Sequence, residues 1–230
     1  MQIVDPHANL VNLMPTKDIV KQSRAKTTVN HNASDTIAHK AHLKTSRSTT
    51  FAAIDFETAS YSADSACAIG LVVVKDSRIV RRENHLIRPP DRRFDFTYVH
   101  GLTWDDVREA PTFAELWPLL GEALAEVDFL AAHNASFDKR VLTSCCRTYR
   151  LAEPAQSFVC TVQLSRSLWK VRPTKLPDVC RHLCIPLQHH EAGSDAEACA
   201  RIVIAACEEG WQWGRKKATL SSKSPRKKKP

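Results

Sequence analysis

From residue 50 the chain carries a short apolar run, TTFAAIDFETA, bounded by polar residues and ending in two acids. A run of this length predicts a strand buried on both faces. ACAIGLVVVKD and SRIVRRENHLI follow, separated at Asp76 and Ser77, and predict a hairpin that extends the same sheet. The hydrophobic period then changes from that of a strand to that of a helix. In PTFAELWPLLGEALAEV, Leu116, Leu119, Leu120, Ala123, Leu124 and Val127 fall on one helical face, and Thr112 with Glu115 forms a capping-box pattern. Pro118 inside this stretch implies a kink or a later start.

DFLAAHN reads as a short buried strand leading into a helix that begins near Ser136, with Phe137, Val141 and Cys145 turned inward. SFVCT predicts another strand and VQLSRSLW a helix. KLPDVCRHLCI places Leu176, Val179, Cys180 and Leu183 on one face of the next helix. Ser194 and Glu197 form a second capping-box pattern, after which Cys199, Ile202, Val203 and Ala206 recur at helical spacing. Three strands followed by alternating helices and strands predict an α/β fold, a mixed central sheet flanked by helices.

Composition divides the chain into three. Residues 1–49 are polar and without a sustained period, so they read as a disordered extension; Asp5, Asp18 and Asp35 speak against a transit peptide. Residues 50–210 form the folded domain, and 211–230 a basic tail. The net charge of +8 sits at the ends: +4 over residues 1–49 and +8 over 215–230, whereas 50–214 hold 18 Lys/Arg against 22 Asp/Glu. Basic tails on a mildly acidic core suggest a nucleic-acid partner, although such tails also serve solubility. No apolar run approaches the roughly 20 residues of a membrane span, and no secretory signal opens the chain, so a cytoplasmic protein without a membrane partner is expected. In that reducing setting the eight cysteines, mostly within apolar segments, read as small buried hydrophobes.

Candidate chemistry lies in the acids. Asp55 and Glu57, two apart on a strand, project from one face. Paired carboxylates repel where water is scarce unless a cation neutralises them, and an all-oxygen set favours a hard ion such as Mg²⁺ or Mn²⁺. Asp138 falls in the first turn of the helix after His133 and Asn134, where an acid also serves simply as a dipole partner. Asp195 follows Ser194, and His190 lies five residues before it on the entering loop. A different arrangement, a zinc-stabilised binding module using Cys180, Cys184, His189 and His190, has only a weak spacing in its favour.

Taken together, AIDFETA, HNASFD and HHEAGSDA resemble in order and spacing the three motifs of the DEDDh 3′–5′ exonucleases, the family that includes the epsilon proofreading subunit of the bacterial replicative polymerase. VHGLTWDDV and VCTVQLSRSLW resemble its supporting segments, and the likeness spans about residues 50–208. The resemblance implies a ribonuclease-H-like fold. It implies that Asp55, Glu57, Asp138 and Asp195 bind two divalent ions, that His190 is the general base, and that His189 has no role. It further implies contacts from Phe56, Thr58, His133 and Phe137 to the terminal nucleotides of a single-stranded 3′ end; DNA is the expected substrate ahead of RNA, with a DNA polymerase as a candidate partner. An exoribonuclease is the nearest alternative. Gly193 stands where family members often carry leucine, which alters the loop but removes no catalytic group.

Overall fold

The computed structural model describes residues 49–214. The expected extension through residue 48 and the basic run from 215 lie outside the described residues.

Strand β1 (Thr50–Thr58) occupies the middle of a five-stranded sheet. On one side it pairs antiparallel with β2 (Ala66–Lys75), which pairs in turn with β3 (Arg78–Leu86). Asp76 and Ser77 join that hairpin with φ of 51° and 59°, the left-handed pair that a two-residue turn between twisted strands requires. On its other side β1 runs parallel to β4 (Phe129–Ala132), and β4 runs parallel to β5 (Ser157–Cys160), giving the order β3-β2-β1-β4-β5. The mixed sheet follows the sequence expectation. Parallel strands need crossovers, and the helices supply them.

Those helices are α1 (Thr97–His100), α2 (Trp104–Val107), α3 (Phe113–Ala125), α4 (Ser136–Thr148), α5 (Thr161–Leu168), α6 (Leu176–Leu183) and α7 (Ala192–Glu208). Alternation along β1 divides the core in two. Ala52, Ile54 and Phe56 point into a cluster with α3 and α4, whereas Phe51 and Ala53 point into one with α5, α6 and α7. Helix α3 begins at Phe113 with the Thr112–Glu115 capping box in place, so Pro118 does not delay its start. Buried Phe113 recentres the apolar stripe and leaves Leu119 at its margin, 39% exposed rather than in the core. Packing also continues past residue 210: Trp211 and Trp213 lie 5.9 and 4.6 Å from the Phe129 ring. Among the described residues no helix is long and apolar enough to cross a membrane.

One close approach fixes where α7 lies. Gly70 faces this helix, and a Cβ there would stand 2.0 Å from the carbonyl oxygen of Ala192. The obstacle is backbone, which cannot rotate away as a side chain can. Gly70→Ala is therefore expected to destabilise the domain by about 3 kcal/mol, the upper range for overpacking. Denaturant unfolding measures this, and a midpoint matching the parent's would contradict it.

Candidate active site

Asp55 and Glu57 leave the last turns of β1 toward the α7 side of the sheet, opposite Gly70 and Ala68 in register. Because Gly70 lacks a side chain, the first turn of α7 reaches the sheet and carries Asp195 to the pair; ligand oxygens of Asp55, Glu57 and Asp195 lie within 4.8 Å of one another. Asp138 arrives from the other layer, on the first turn of α4, and its Oδ1 accepts the Phe56 backbone N–H at 3.1 Å. One strand thus gathers an acid from each helical layer. Asp138 and Asp195 are 1% and 3% exposed, and Asp138 Oδ2 and Asp195 Oδ1 are buried with no hydrogen-bond partner.

The approach to α7 is built differently from the sequence expectation. Ser194 does not cap the helix. Glu191 does, accepting the N–H groups of Gly193 and Ser194 at 3.3 and 2.6 Å while the Asn84 amide of β3 donates to the same carboxylate. Ser194 lies inside the first turn and accepts the Gln188 N–H at 2.8 Å, and Glu197 pairs with Arg82 and Arg201 instead. An acid at the cap satisfies two amide donors and sits at the positive end of the helix dipole, and the partner on β3 makes it superior here to a hydroxyl.

His190 has φ of 69°, and its N–H donates to Asp195 Oδ2 at 3.2 Å. His189, taken from the sequence to be without a role, holds the same oxygen through Nδ1 at 2.9 Å and stacks on the His190 ring at 3.7 Å. Burial, and then the neighbouring His189, lower the His190 pKa, which keeps its imidazole neutral near pH 7. Neither histidine sits with a cysteine. Cys180 is packed in the core, and among the described residues the groups with ligand-like spacing are His189 with His190 and Asp195, and Asp55 with Glu57 and Asp195.

These groups line a cavity of about 620 Å³ whose walls include Phe56, Thr58, His133 and Phe137. His133 spends its nitrogens on the protein. Nε2 meets the Thr174 carbonyl at 3.1 Å, so it carries the hydrogen, and Nδ1 accepts from Thr161 at 2.8 Å. Burial pushes its pKa down to about 4, in keeping with a neutral ring. Phe56 is 3% exposed and lies 6.4 Å from Phe113. Phe137 is half-buried, with the Arg140 guanidinium 5.7 Å from its ring centre.

A profile of the exonuclease family RNase_T matches residues 52–203. The chain belongs to this family. Within it, the exonuclease domain is similar to the PolC-type DNA polymerase III of Thermotoga petrophila, 30% identical over 166 residues, which are 69% of this chain but 12% of that protein. It is also similar to exodeoxyribonuclease 10 of Escherichia coli K12, 33% identical over 103 residues, 44% of this chain and 40% of that one. The chain therefore spans well under two thirds of the length of these curated relatives. Among solved structures, exonuclease X in complex with 5′ overhanging duplex DNA superposes with a TM-score of 0.59 at 26% identity, covering 70% of this chain and 94% of that chain. The fold is ribonuclease-H-like, and the class is that of the DEDDh 3′–5′ exonucleases, hydrolases of nucleic acids.

In this exonuclease the sequence named the acids that converge but not what supports them. Glu191 and Asn84 were missed, and VHGLTWDDV was read as a supporting segment without a place in the cavity. His100 of that segment bridges the Thr58 carbonyl (Nε2, 3.2 Å) and the Leu102 N–H (Nδ1, 3.1 Å), tying α1 to the end of β1. VHGLTWDDV was a signal for that segment, and the acid directly before AGS was the available signal for the cap.

Burial chiefly, and then repulsion among the acids, raise the Asp55 and Glu57 carboxyls, Glu57 from 4.5 to about 8; burial likewise raises Asp138 and Asp195. Buried acids with unpartnered oxygens and mutual repulsion suit a set that a divalent cation neutralises. Without such an ion the folded state retains protons that the unfolded chain releases near pH 4.5, so stability falls as pH rises toward about 8 and levels above it. Melting temperature in EDTA is expected to decline from pH 5.5 to 8, and millimolar Mg²⁺ to raise it more at pH 8 than at 5.5. A profile that rises over this window would contradict the assignment.

Proposed function

We propose that the protein removes nucleotides one at a time from the 3′ end of single-stranded or frayed DNA, with Asp55, Glu57, Asp138 and Asp195 holding two divalent ions, Mg²⁺ or Mn²⁺. The observation that carries this reading is the convergence of four acids, three of them buried and two with unpartnered oxygens, beside an imidazole that lines the same cavity. Such ions, when bound, lower the pKa of the attacking water and offset charge on the leaving 3′ oxygen.

His190 is the general base. Its ring lies at the cavity and is neutral at working pH, so it can take a proton from water during attack on phosphorus. His189 positions it through ring stacking and through the shared Asp195. Phe56, Thr58 and Phe137 line the place of the terminal nucleotide, and His133 supports that wall by joining the end of β4 to Thr161 and Thr174. A duplex end must fray before its last nucleotide reaches the acids, which favours mispaired ends.

DNA is preferred over RNA as the substrate because the relatives at 30% identity or more include exodeoxyribonuclease 10 and PolC-type polymerases, whose names concern DNA. Proofreading beside a polymerase, or repair, are the settings this implies, inside the cell. Residues 1–49 are read as a separate extension. The basic residues from 215 onward would add affinity that weakens with salt.

End-labelled DNA and RNA oligonucleotides of matched sequence, with Mg²⁺, Mn²⁺ or EDTA, test the reading. Stepwise loss of 3′ nucleotides is expected, faster on DNA and abolished by EDTA. Asp55→Ala should lower the rate at least about 10³-fold, and His190→Ala about 10²- to 10⁴-fold, as for loss of a general base. His189→Ala should cost less than His190→Ala. Faster loss on RNA would favour the exoribonuclease, and cuts in a circular substrate would refute the exonuclease reading.

A further inference from the structure

The loop that carries His190 into α7 is weakly anchored. Gln188, His189 and His190 are all exposed, and their hydrogen bonds run to the first turn of the helix they precede. The Gln188 N–H donates to Ser194 Oγ at 2.8 Å, while the His190 N–H and His189 Nδ1 meet one oxygen, Asp195 Oδ2, at 3.2 and 2.9 Å. These bonds fold the loop onto α7 but do not tie it to the sheet. His190 also has φ of 69°, a left-handed backbone that a residue with a Cβ keeps only where its surroundings hold it.

Among the described residues, one hydrogen bond joins residues 188–191 to the sheet: the Asn84 amide of β3 donates to Glu191 Oε1. Asp55, Gly70 and Asn84 stand in register across β1, β2 and β3, so the residue that reaches the loop lies in the same row as the first acid. A second glycine makes room for the contact. A Cβ at Gly193 would lie 3.2 Å from Asn84 Cβ and 3.2 Å from Glu191 Oε1. Asn84 and Glu191 line, with Gly193 and Ser194, a separate cavity of about 640 Å³ that shares no residue with the one lined by His189, His190 and Asp195. The contact therefore holds the loop from behind. Asp195 does not depend on it in the same way, because it belongs to a helix anchored by fully buried Ala196, Cys199 and Ile202.

We infer that Asn84 and Glu191 are positioning residues for His190, a clasp that holds the base-bearing loop from the side away from the active-site cavity. The inference rests on the reading of His190 as general base and adds what fixes its ring relative to the acids. An amide donating to a carboxylate makes a charge-assisted bond, directional and stronger than a neutral one. Base catalysis needs hydrogen-bond reach to the proton it removes, and a misplacement of about 1 Å can cost about 10²-fold in rate. Neither clasp residue lines the active-site cavity, so its loss falls on kcat rather than on KM.

The test uses the full chain, a single-stranded DNA oligonucleotide and saturating Mg²⁺. Asn84→Ala should lower kcat about tenfold or more and leave KM within about twofold of the parent. Its melting temperature should stay within about 4 °C, the scale for one exposed hydrogen bond in a domain of this size. Asn84→Asp sets two carboxylates against each other and should cost at least as much. Adding Glu191→Gln restores the bond with donor and acceptor exchanged, and kcat should return to within about threefold of the parent. In a His190→Ala background, Asn84→Ala should cost less than about twofold, because the ring it acts through is already gone. The Mg²⁺ concentration giving half of the thermal shift should match the parent's. Arg82→Ala is the control: it lies on the same face of β3, Glu197 keeps Arg201, and kcat should not move. A parental kcat in Asn84→Ala beside an impaired His190→Ala would overturn the clasp and leave the base in place. So would an exchanged pair that recovers nothing. A cost that persists without His190, or a raised Mg²⁺ requirement, would overturn it as well, since the pair would then act on Asp195. A His190→Ala variant with the parent's kcat would instead refute the reading of His190 as base.

Discussion

The contact on which the site depends is the approach of the α7 backbone to Gly70. Asp55 and Gly70 face each other across β1 and β2, and the empty side of Gly70 is where the Ala192 carbonyl sits. Any side chain at this position would hold the helix away from the sheet, and Asp195, one turn further along, would move with it. The geometry of the carboxylate cluster is thus set by the absence of one methyl group. Asn84 and Glu191 then hold the loop that enters the helix at its cap, so the helix and its approach are controlled by separate residues.

Bringing four acids together opposes folding. The domain tolerates it because the rest of the fold is committed around β1: the strand is central in the sheet, paired on both edges and covered on both faces. The Phe56 amide stabilises one oxygen of Asp138, and His189 with the His190 amide stabilises one of Asp195. In each residue the second oxygen is left without a partner. Partial satisfaction of this kind keeps the acids oriented without using up the donors of electrons that a cation needs.

Much of the architecture was legible because the chain changes hydrophobic period sharply, and the strands, the Asp76–Ser77 turn and the Thr112 cap each follow from a few adjacent residues. Asp55, Glu57, Asp138 and Asp195 were legible because each lies at a strand end or helix start. The cap of α7 was misread because Ser-Asp-x-Glu satisfies a local rule, while the actual choice of Glu191 depends on Asn84, far away on β3. Leu119 was misplaced because Phe113, just outside the assumed stripe, shifts the buried face. Trp211 and Trp213 follow the last helix and are recruited by Phe129, a partner no local pattern names.

The placement of Asp195 on α7, the last of the described helices, has a consequence for biosynthesis. Asp55, Glu57 and Asp138 are all translated before α7, and β1 can find β2, β3 and β4 while α7 is still unmade. Domains fold as their segments emerge, at about 5–20 residues per second. Until α7 has been made, a nascent chain of this protein carries three of the four acids. On the function proposed above, the acid set is complete only once α7 has been made, so the order of translation places the last ligand after the sheet that receives it.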